Sequence, residues 1–433
     1  MILKRKINSA LERWFNSKKE TALLVMGARQ VGKTTSIRDF GKKHYSSIIE
    51  MNFEEKPSLK AIFDGDLDAI TIYEKLSVAG IGVIKPHKTL LFFDEIQSCP
   101  QSRTAIKFLV QDGRCDVIAS GSLLGINYKE VSSYPVGFEQ KLEMTSMDFE
   151  EFLWANGISE ENIHKLHVHF KKKKPVDTYI HSKMMDLFKR YMIVGGMPAV
   201  VSTYIDTHDI AKVIEQQKII IGSYRDDIAK YAGNKKTRAK AVFDSIPMQL
   251  TEKNKKFKLV KVKTGAKNRS YEDAVMWLFD AGIACYCFNI TELEIPLELC
   301  EKRSIYKFFM CDTGLLSCMS LGNVQKAILD GDLCINGGAI TENAVGDLLR
   351  KNTHSLHYYD RKGRLEVDFI INRNQTVLPV EVKSGADYMK HPSLTKILME
   401  QNNTITSAIV LCRENIQEIG EITYYPLYMV MFL

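Results

Sequence analysis

The stretch Gly27-Ala28-Arg29-Gln30-Val31-Gly32-Lys33-Thr34 has the spacing G-x-x-x-x-G-K-[ST]. Glycines at those places let successive backbone N–H groups curl around phosphate oxygens. An apolar run, Thr21–Met26, leads into it and a helical pattern opens near Lys33, so the positive end of a helix dipole adds to the cradle. In that setting Lys33 reaches the β- and γ-phosphates and the Thr34 hydroxyl ligates Mg²⁺. The nucleotide-binding positions are therefore Gly27, Ala28, Arg29, Gln30, Val31, Gly32, Lys33, Thr34 and Thr35, with ATP and Mg²⁺ as ligands. Further on, Leu90-Leu91-Phe92-Phe93 delivers Asp94 and Glu95 at the carboxyl end of a strand, where open α/β sheets bind ligands. Asp94 is placed to hold the Mg²⁺ shell, and Glu95 to orient and polarise the attacking water. Ser120, at the next strand end, reads equally as a γ-phosphate sensor or as a helix N-cap. Arg29, Arg103 and Arg225 are the candidates for an arginine finger.

A second set of acids lies near the carboxyl end. Asp368 sits in Leu365-Glu366-Val367-Asp368-Phe369-Ile370-Ile371, and Glu381 and Lys383 in Leu378-Pro379-Val380-Glu381-Val382-Lys383. Residues two apart on a strand share a face, so Glu381 and Lys383 point together and Asp368 converges on them from the neighbouring strand. Two carboxylates, a backbone carbonyl and waters suit Mg²⁺, a hard cation. The metal ligands read here are thus Thr34 and Asp94 in the first site, Asp368 and Glu381 in the second. The chemistry expected of the second is metal-assisted phosphodiester cleavage, with Lys383 positioning the nucleophile or stabilising charge. Glu342, on a preceding helix, is a further acid within the same pattern.

The formal net charge is +7, but Gly233–Ser270 alone holds twelve Lys and Arg against Asp244 and Glu252. The rest of the chain is slightly acidic. A concentrated basic patch interleaved with Phe257, Leu259, Val260 and Val262 points to a polyanionic partner, DNA in the first instance.

Several elements must position these residues. Apolar runs at Thr21–Met26, Ser47–Phe53, Lys88–Phe93 and Asp116–Ala119, separated by helical patterns, imply a doubly wound parallel sheet. The polar segment His164–Pro175 reads as a connector. Helices are expected at Met184–Tyr191, ending at Gly195-Gly196-Met197-Pro198, and at Asp209–Tyr231. Helices near Ala239–Glu252 and Tyr271–Ala281, followed by strands at Ala284–Asn289 and Glu294–Leu299, suggest a winged helix-turn-helix. The last hundred or so residues give a helix at Ala339–Lys351 and strands at Leu356–Tyr359, Leu365–Ile371 and Val377–Lys383. A helix near Pro392–Glu400 and a strand at Ala408–Cys412 follow. The helix–strand–strand–strand–helix order there is nuclease-like. The division expected is 1–160 for the nucleotide-binding sheet, 161–234 for a helical lid or connector, 235–300 for the basic winged-helix-like region and 301–433 for the nuclease-like end.

Composition narrows the class. Hydrophobic residues make up 45% and charged residues 26%, as in soluble globular proteins. No apolar run approaches the ~18–20 residues of a membrane span, so no membrane role is expected. No apolar leader is read at the start, and nine cysteines lack framework spacing, so free thiols in the cytoplasm are expected. His164, His167 and His169 lie beside Lys171–Lys174 and read as surface histidines. Cys285 and Cys287 share a strand face and read as core packing.

Taken together the chain resembles bacterial and archaeal AAA-superfamily ATPases that carry a carboxy-terminal domain of unknown function with a restriction-endonuclease-like fold. The likeness is carried by Gly27–Thr34, Phe93-Asp94-Glu95-Ile96-Gln97, Ser120-Gly121-Ser122 and Met147-Asp148-Phe149-Glu150-Glu151-Phe152-Leu153. It continues through Gly195-Gly196-Met197-Pro198, Cys311-Asp312-Thr313-Gly314-Leu315, Glu342-Asn343, Glu366-Val367-Asp368-Phe369 and Val380-Glu381-Val382-Lys383. The resemblance implies an α/β chain: an AAA-type P-loop core, a winged-helix segment, and a restriction-endonuclease-like end in which Asp368, Glu381 and Lys383 match active-site positions. Where many relatives have Gly-Arg, this chain has Gly137-Phe138. Two functions follow as expectations. One is a Mg²⁺-dependent ATPase that engages DNA and carries a metal-dependent nuclease end. The other is a nucleotide-controlled switch whose carboxy-terminal fold binds nucleic acid or a protein partner without cutting. A homo-oligomer is compatible with either.

Overall fold

Leu90 and Phe92 point to one side of a strand and Leu91 and Phe93 to the other, and all four are fully buried. A strand buried on both faces needs a layer of helices on each, and the computed structural model supplies both. It describes the chain except residues 1, 18–19, 123–134, 253, 264–267, 321–323, 335–337, 362 and 401–404, and the side chains at 231, 234 and 268–270. Lys253 and Lys267 of the basic run therefore lie outside the described residues. Contacts divide the chain into two units: Met1–Ser146 with Asp280–Gly282, and Met147–Phe279 with Ile283–Leu433.

The first unit holds strands β1 (Ala22–Gly27), β2 (Ser47–Asn52), β3 (Thr89–Asp94), β4 (Asp116–Ser122) and β5 (Glu139–Glu143). They form one parallel sheet in the order β2-β3-β4-β1-β5. One face packs Leu24, Met51, Leu91, Phe93 and Val117 against the helices Ala69–Val78 and Pro100–Asp112. The other packs Leu23, Val25, Leu90, Phe92 and Ile118 against the helices Ile7–Asn16 and Lys33–His44. Each such side chain contributes roughly 1.5–3 kcal/mol relative to exposure. Because β4 lies between β1 and β3, Gly27, Asp94 and Ser120–Ser122 end side by side on one sheet edge.

The second unit begins with the helices Phe149–Ala155, Glu160–Lys172, Thr178–Val194, Pro198–Thr207 and Ile210–Tyr231. The segment read as a polar connector is thus largely a helix. Ser159 caps it by accepting from the Asn162 N–H, and acids in its first turn and bases in its last match the dipole. Ile163, Leu166 and Phe170 form its buried stripe. Polar content hid a period that only those three residues carry.

Helices Lys236–Thr251, Leu259–Val262 and Asn268–Asp280 precede an antiparallel hairpin of β6 (Ala284–Ile290) and β7 (Glu301–Met310). Helices then hairpin is the expected order, with two corrections. The second strand is not Glu294–Leu299. That stretch ends in a short 3-10 turn, Leu297–Cys300, and its Pro296 has no N–H to give a ladder. Nor is the hairpin a free wing, because β6 also pairs in parallel with β8 (His357–Asp360). Through it the hairpin joins an eight-stranded sheet with β9 (Glu366–Arg373), β10 (Thr376–Val382), β11 (Ala408–Cys412), β12 (Gln417–Ile419) and β13 (Ile422–Pro426), ordered β12-β13-β11-β10-β9-β8-β6-β7. A boundary at 300/301 would cut the hairpin in two. The helices Ala339–Lys351 and Pro392–Glu400 fall where the sequence puts them. No helix among the described residues is long and apolar enough to cross a membrane.

Candidate nucleotide site and carboxylate cluster

The turn from β1 into the helix Lys33–His44 is shaped by left-handed backbone at Gln30 (φ 65°) and Gly32 (φ 96°). Gly27 is required for a different reason: a Cβ there would stand 2.0 Å from the Met144 carbonyl oxygen. Lys33 folds back over the loop, its Nζ donating to the Gly27 and Ala28 carbonyls at 3.0 and 2.8 Å. Burial lowers its pKa, opposed by the nearby Glu95 and Asp94 charges.

Asp94 closes the far side and is only 3% exposed. It accepts from the Thr34 hydroxyl at 3.2 and 3.1 Å, from the Asn52 amide at 3.1 Å and from the Ser120 hydroxyl. Thr34 and Asp94 therefore meet edge to edge. Every donor just named is neutral, and a hydroxyl beside a carboxylate supplies the oxygen ligands an Mg²⁺ ion needs. Glu95 sits at φ 53°, a conformation that costs on the order of 1–3 kcal/mol outside glycine. Burial raises the pKa of its carboxylate, while a hydrogen bond from Gln97 and the charge of Lys33 lower it.

Ser120 lies inside β4, fully buried, with its hydroxyl on Asp94. The helix N-cap alternative does not match that position. Thr35 follows Thr34 in the first turn of the helix Lys33–His44. Arg29 reaches Glu54 at 3.4 Å. Arg103 is a correction: it is 2% exposed and held bidentately by Glu139 at 3.1 and 2.6 Å, so it cannot reach a nucleotide on another molecule. Arg225 is paired with Asp244 at the surface.

In the second unit, the β9–β10 register runs to Val380↔Phe369, and one step further sets Glu381 across from Asp368. The Val382 N–H donates to Asp368 Oδ2 at 2.8 Å. Lys383 Nζ donates to Glu381 Oε1 at 2.8 Å. Glu381 Oε2 is buried and has no hydrogen-bond partner, in a residue only 7% exposed. Burial and the Asp368 charge push the Glu381 carboxyl up to about 8, against the pull of Lys383. Asp368 is also raised, by burial and Glu342, against Lys307 and Lys255.

Glu342 does not join them as a metal-facing acid. Its Oε1 accepts from Lys307 Nζ at 2.9 Å and its Oε2 from Lys255 Nζ. Burial alone would raise its pKa, but the two ammonium groups outweigh it and hold the carboxyl at about 2. Lys307, fully buried in β7, also lies 3.2 Å from Glu366 and 3.9 Å from Asp368. No group of three or more His, Cys, Asp or Glu among the described residues is arranged to hold a metal. A two-carboxylate site completed by water and substrate remains compatible with Mg²⁺, and the orphan Glu381 Oε2 is the atom that fits it.

The basic run is partly spent internally. Lys255 pairs with Glu342 and Lys256 with Asp360, while Lys236, Arg238, Lys240, Lys261 and Lys263 are exposed. Reading residues singly missed Asn52, Gln97, Lys255 and Lys307. The one local signal for Lys307 is a lone cation in the otherwise apolar and aromatic Ile305-Tyr306-Lys307-Phe308-Phe309. His167 stacks on Phe432 at 4.8 Å, and Cys285 and Cys287 are buried.

Comparison with known proteins was then informative for one unit above all. Residues 185–326 match a domain of unknown function, DUF8612, and residues 337–430 another, DUF4143. No curated protein matches the chain. Among solved structures, the Aeropyrum pernix ORC2 protein in ADPNP-ADP complexes is 11% identical, covering 77% of this chain and 95% of that one at a TM-score of 0.38. The ORC1 protein of the same organism in complex with DNA is 12% identical, covering 77% and 93% at 0.31. AMPPCP-bound DnaA from Aquifex aeolicus is 12% identical, covering 64% and 79% at 0.27. TM-scores this low leave the assignment to the family match and to the geometry around Lys33, Thr34 and Asp94. Residues 19–153 match the model of an AAA domain.

Proposed function

We propose that ATP hydrolysis in the first unit governs DNA engagement by the second, and that Asp368, Glu381 and Lys383 cleave a phosphodiester. In the first unit Lys33 would exchange the Gly27 and Ala28 carbonyls for phosphate oxygens, and Thr34 and Asp94 would hold Mg²⁺. Glu95, with Gln97 fixing one of its oxygens, orients the attacking water. In the second unit, Asp368 and Glu381 would hold a divalent ion, which supplies charge neutralisation at the phosphate and a more acidic bound water when present. Lys383 steadies Glu381 and faces the developing negative charge. Exposed cations at Lys236, Arg238, Lys240, Lys261 and Lys263 hold the backbone without reading sequence, through salt-sensitive phosphate contacts. A restriction-endonuclease-like end, a cytoplasmic location, and assembly with further copies or a protein partner belong to the same proposal.

The observation that carries the cleavage half is the unbonded, buried Glu381 Oε2 opposite Asp368. A buried polar atom left without a partner is costly, and an incoming cation would satisfy it. The saturation of Glu342 by Lys307 and Lys255 favours the second reading, a nucleotide-controlled switch that binds nucleic acid or a protein without cutting. Plasmid incubated with Mg²⁺ or Mn²⁺, with and without ATP, separates the two. Nicking that disappears in Glu381→Ala, and that responds to ATP only while Lys33 is intact rather than Lys33→Ala, is the expected outcome. No cleavage with either metal, alongside intact DNA binding, would leave the switch standing.

A further inference from the structure

Glu342, Glu366, Asp368 and Glu381 gather four acidic side chains in one part of the second unit, and Lys307, Lys255 and Lys383 set three ammonium groups against them. Ammonium groups that offset those carboxylates weaken their attraction for a divalent cation, and removing one strengthens it. The three lysines are not equally fixed. Lys307 issues from the middle of β7, is completely buried and lies 4.9 Å over the Tyr358 ring. It cannot leave without repacking the sheet. Lys383 stands on the same strand line as Glu381 and moves with it.

Lys255 is held differently. It comes from the turn between the helices Lys236–Thr251 and Leu259–Val262, and its backbone is left-handed at φ 48°, a conformation long side chains rarely adopt. Its neighbours hold the same segment down. Lys256 pairs with Asp360, and Phe257 stacks on Tyr306 at 5.5 Å and 14° while its N–H donates to the Tyr306 carbonyl at 2.9 Å. The segment is thus a short strap that starts in the exposed basic region and ends with an ammonium group on Glu342. Glu381 Oε2, in the same group of acids, stays buried and unbonded.

Resting on the reading of Asp368 and Glu381 as a cation site, we propose that Lys255 is a displaceable internal plug that keeps the carboxylate site closed to divalent cations until nucleic-acid phosphates draw the strap away. The same ammonium groups that neutralise Glu342 and Asp360 are suited to phosphate oxygens. One binding event therefore delivers a phosphodiester and exposes the acids that act on it. The plug couples substrate arrival to metal loading and keeps the site closed to metal when no polyanion is bound.

Mn²⁺ binding to the full chain without nucleotide, followed by the paramagnetic signal of free Mn²⁺, tests this without reading cleavage. Lys255→Gln is expected to bind Mn²⁺ about tenfold more tightly than the unaltered chain or Lys255→Arg, a change of about 1.4 kcal/mol. Lys256→Gln loosens the strap from its other anchor and gives a smaller gain. The gain is lost in Lys255→Gln/Glu381→Gln. A short DNA duplex tightens Mn²⁺ binding to the unaltered chain and leaves Lys255→Gln unchanged. If Glu381-dependent Mn²⁺ binding is the same with and without Lys255, the plug is overturned while the cation site stands. If neither chain binds Mn²⁺, the cation site fails and takes the plug with it. Release by polyglutamate but not by DNA overturns the assignment to nucleic acid.

Discussion

Asp94 and Glu342 are both acids 3% exposed, yet their surroundings could hardly differ more. Asp94 is held by hydroxyls and an amide, from Thr34, Ser120 and Asn52. Glu342 is held by two ammonium groups, from Lys307 and Lys255. Neutral donors satisfy lone pairs and leave the charge available. Ammonium groups satisfy the lone pairs and the charge together. The first arrangement is ready for a cation, and the second already contains its own. An acid in an apolar setting is therefore not evidence of a metal site until its partners are known.

The largest expected effect comes from breaking the compensated site. Lys307→Met leaves Glu342 and Asp368 buried with one cation fewer. Removing one partner of a buried pair costs about 3–5 kcal/mol, so the urea midpoint should fall steeply. Lys307→Met/Glu342→Leu should recover most of the loss, because an apolar pair restores neutrality. A midpoint shift no larger than that of the exposed Lys240→Ala would undo the picture of Lys307 as an internal counter-ion.

Next comes the nucleotide site. Glu95→Gln preserves shape but removes the carboxylate proposed to orient water. Turnover of ATP should fall by on the order of 10²–10³, with ATP affinity within about twofold. Equal loss of affinity and turnover would mean that Glu95 shapes the cradle instead.

Much of this contrast is invisible in sequence because charge compensation is a long-range matter. Gly27–Thr34 is contiguous, and strands β1, β3 and β4 announce themselves as apolar runs, so the AAA sheet and its phosphate loop were legible. The helix Ala339–Lys351 and the strand Ala408–Cys412 were legible to the residue, since each ends at a clear change of pattern. Lys307, by contrast, meets Glu342 across a separation of 35 residues, where the helix Ala339–Lys351 packs on β7 and Asn343 exchanges hydrogen bonds with the Met310 backbone. No local period encodes that pairing. Glu294–Leu299 alternated like a strand, but Pro296 cannot serve a ladder. The hairpin therefore started later and joined the sheet instead of standing free as a wing. β5 was missed because Glu139–Glu143 is polar at its exposed edge. Its Glu139 is the residue that removes Arg103 from the arginine-finger candidates.

A third buried acid refines the contrast. Asp347 is fully buried and accepts from Lys351 at 2.7 Å, so one ammonium group serves it where two serve Glu342. Burial, aided by the Asp312 charge, raises its pKa from 3.8 to about 6, against Lys351 and Arg350. Tyr191, whose hydroxyl accepts from Lys351 at 3.2 Å, shares that lysine. The folded pKa exceeds the unfolded one, so between about pH 4 and 6 the folded chain holds a proton that the unfolded chain has released. Stability must then fall as pH rises through that window, by about 3 kcal/mol at 1.36 kcal/mol per pKa unit. Asp347→Asn removes the titration and keeps an acceptor for Lys351. Measured as the difference between variant and unaltered chain, its relative stability should climb by about 3 kcal/mol from pH 4 to pH 7 and level off above. A flat difference would mean that Lys351 alone compensates Asp347, and that the second lysine on Glu342 is not what separates the two acids.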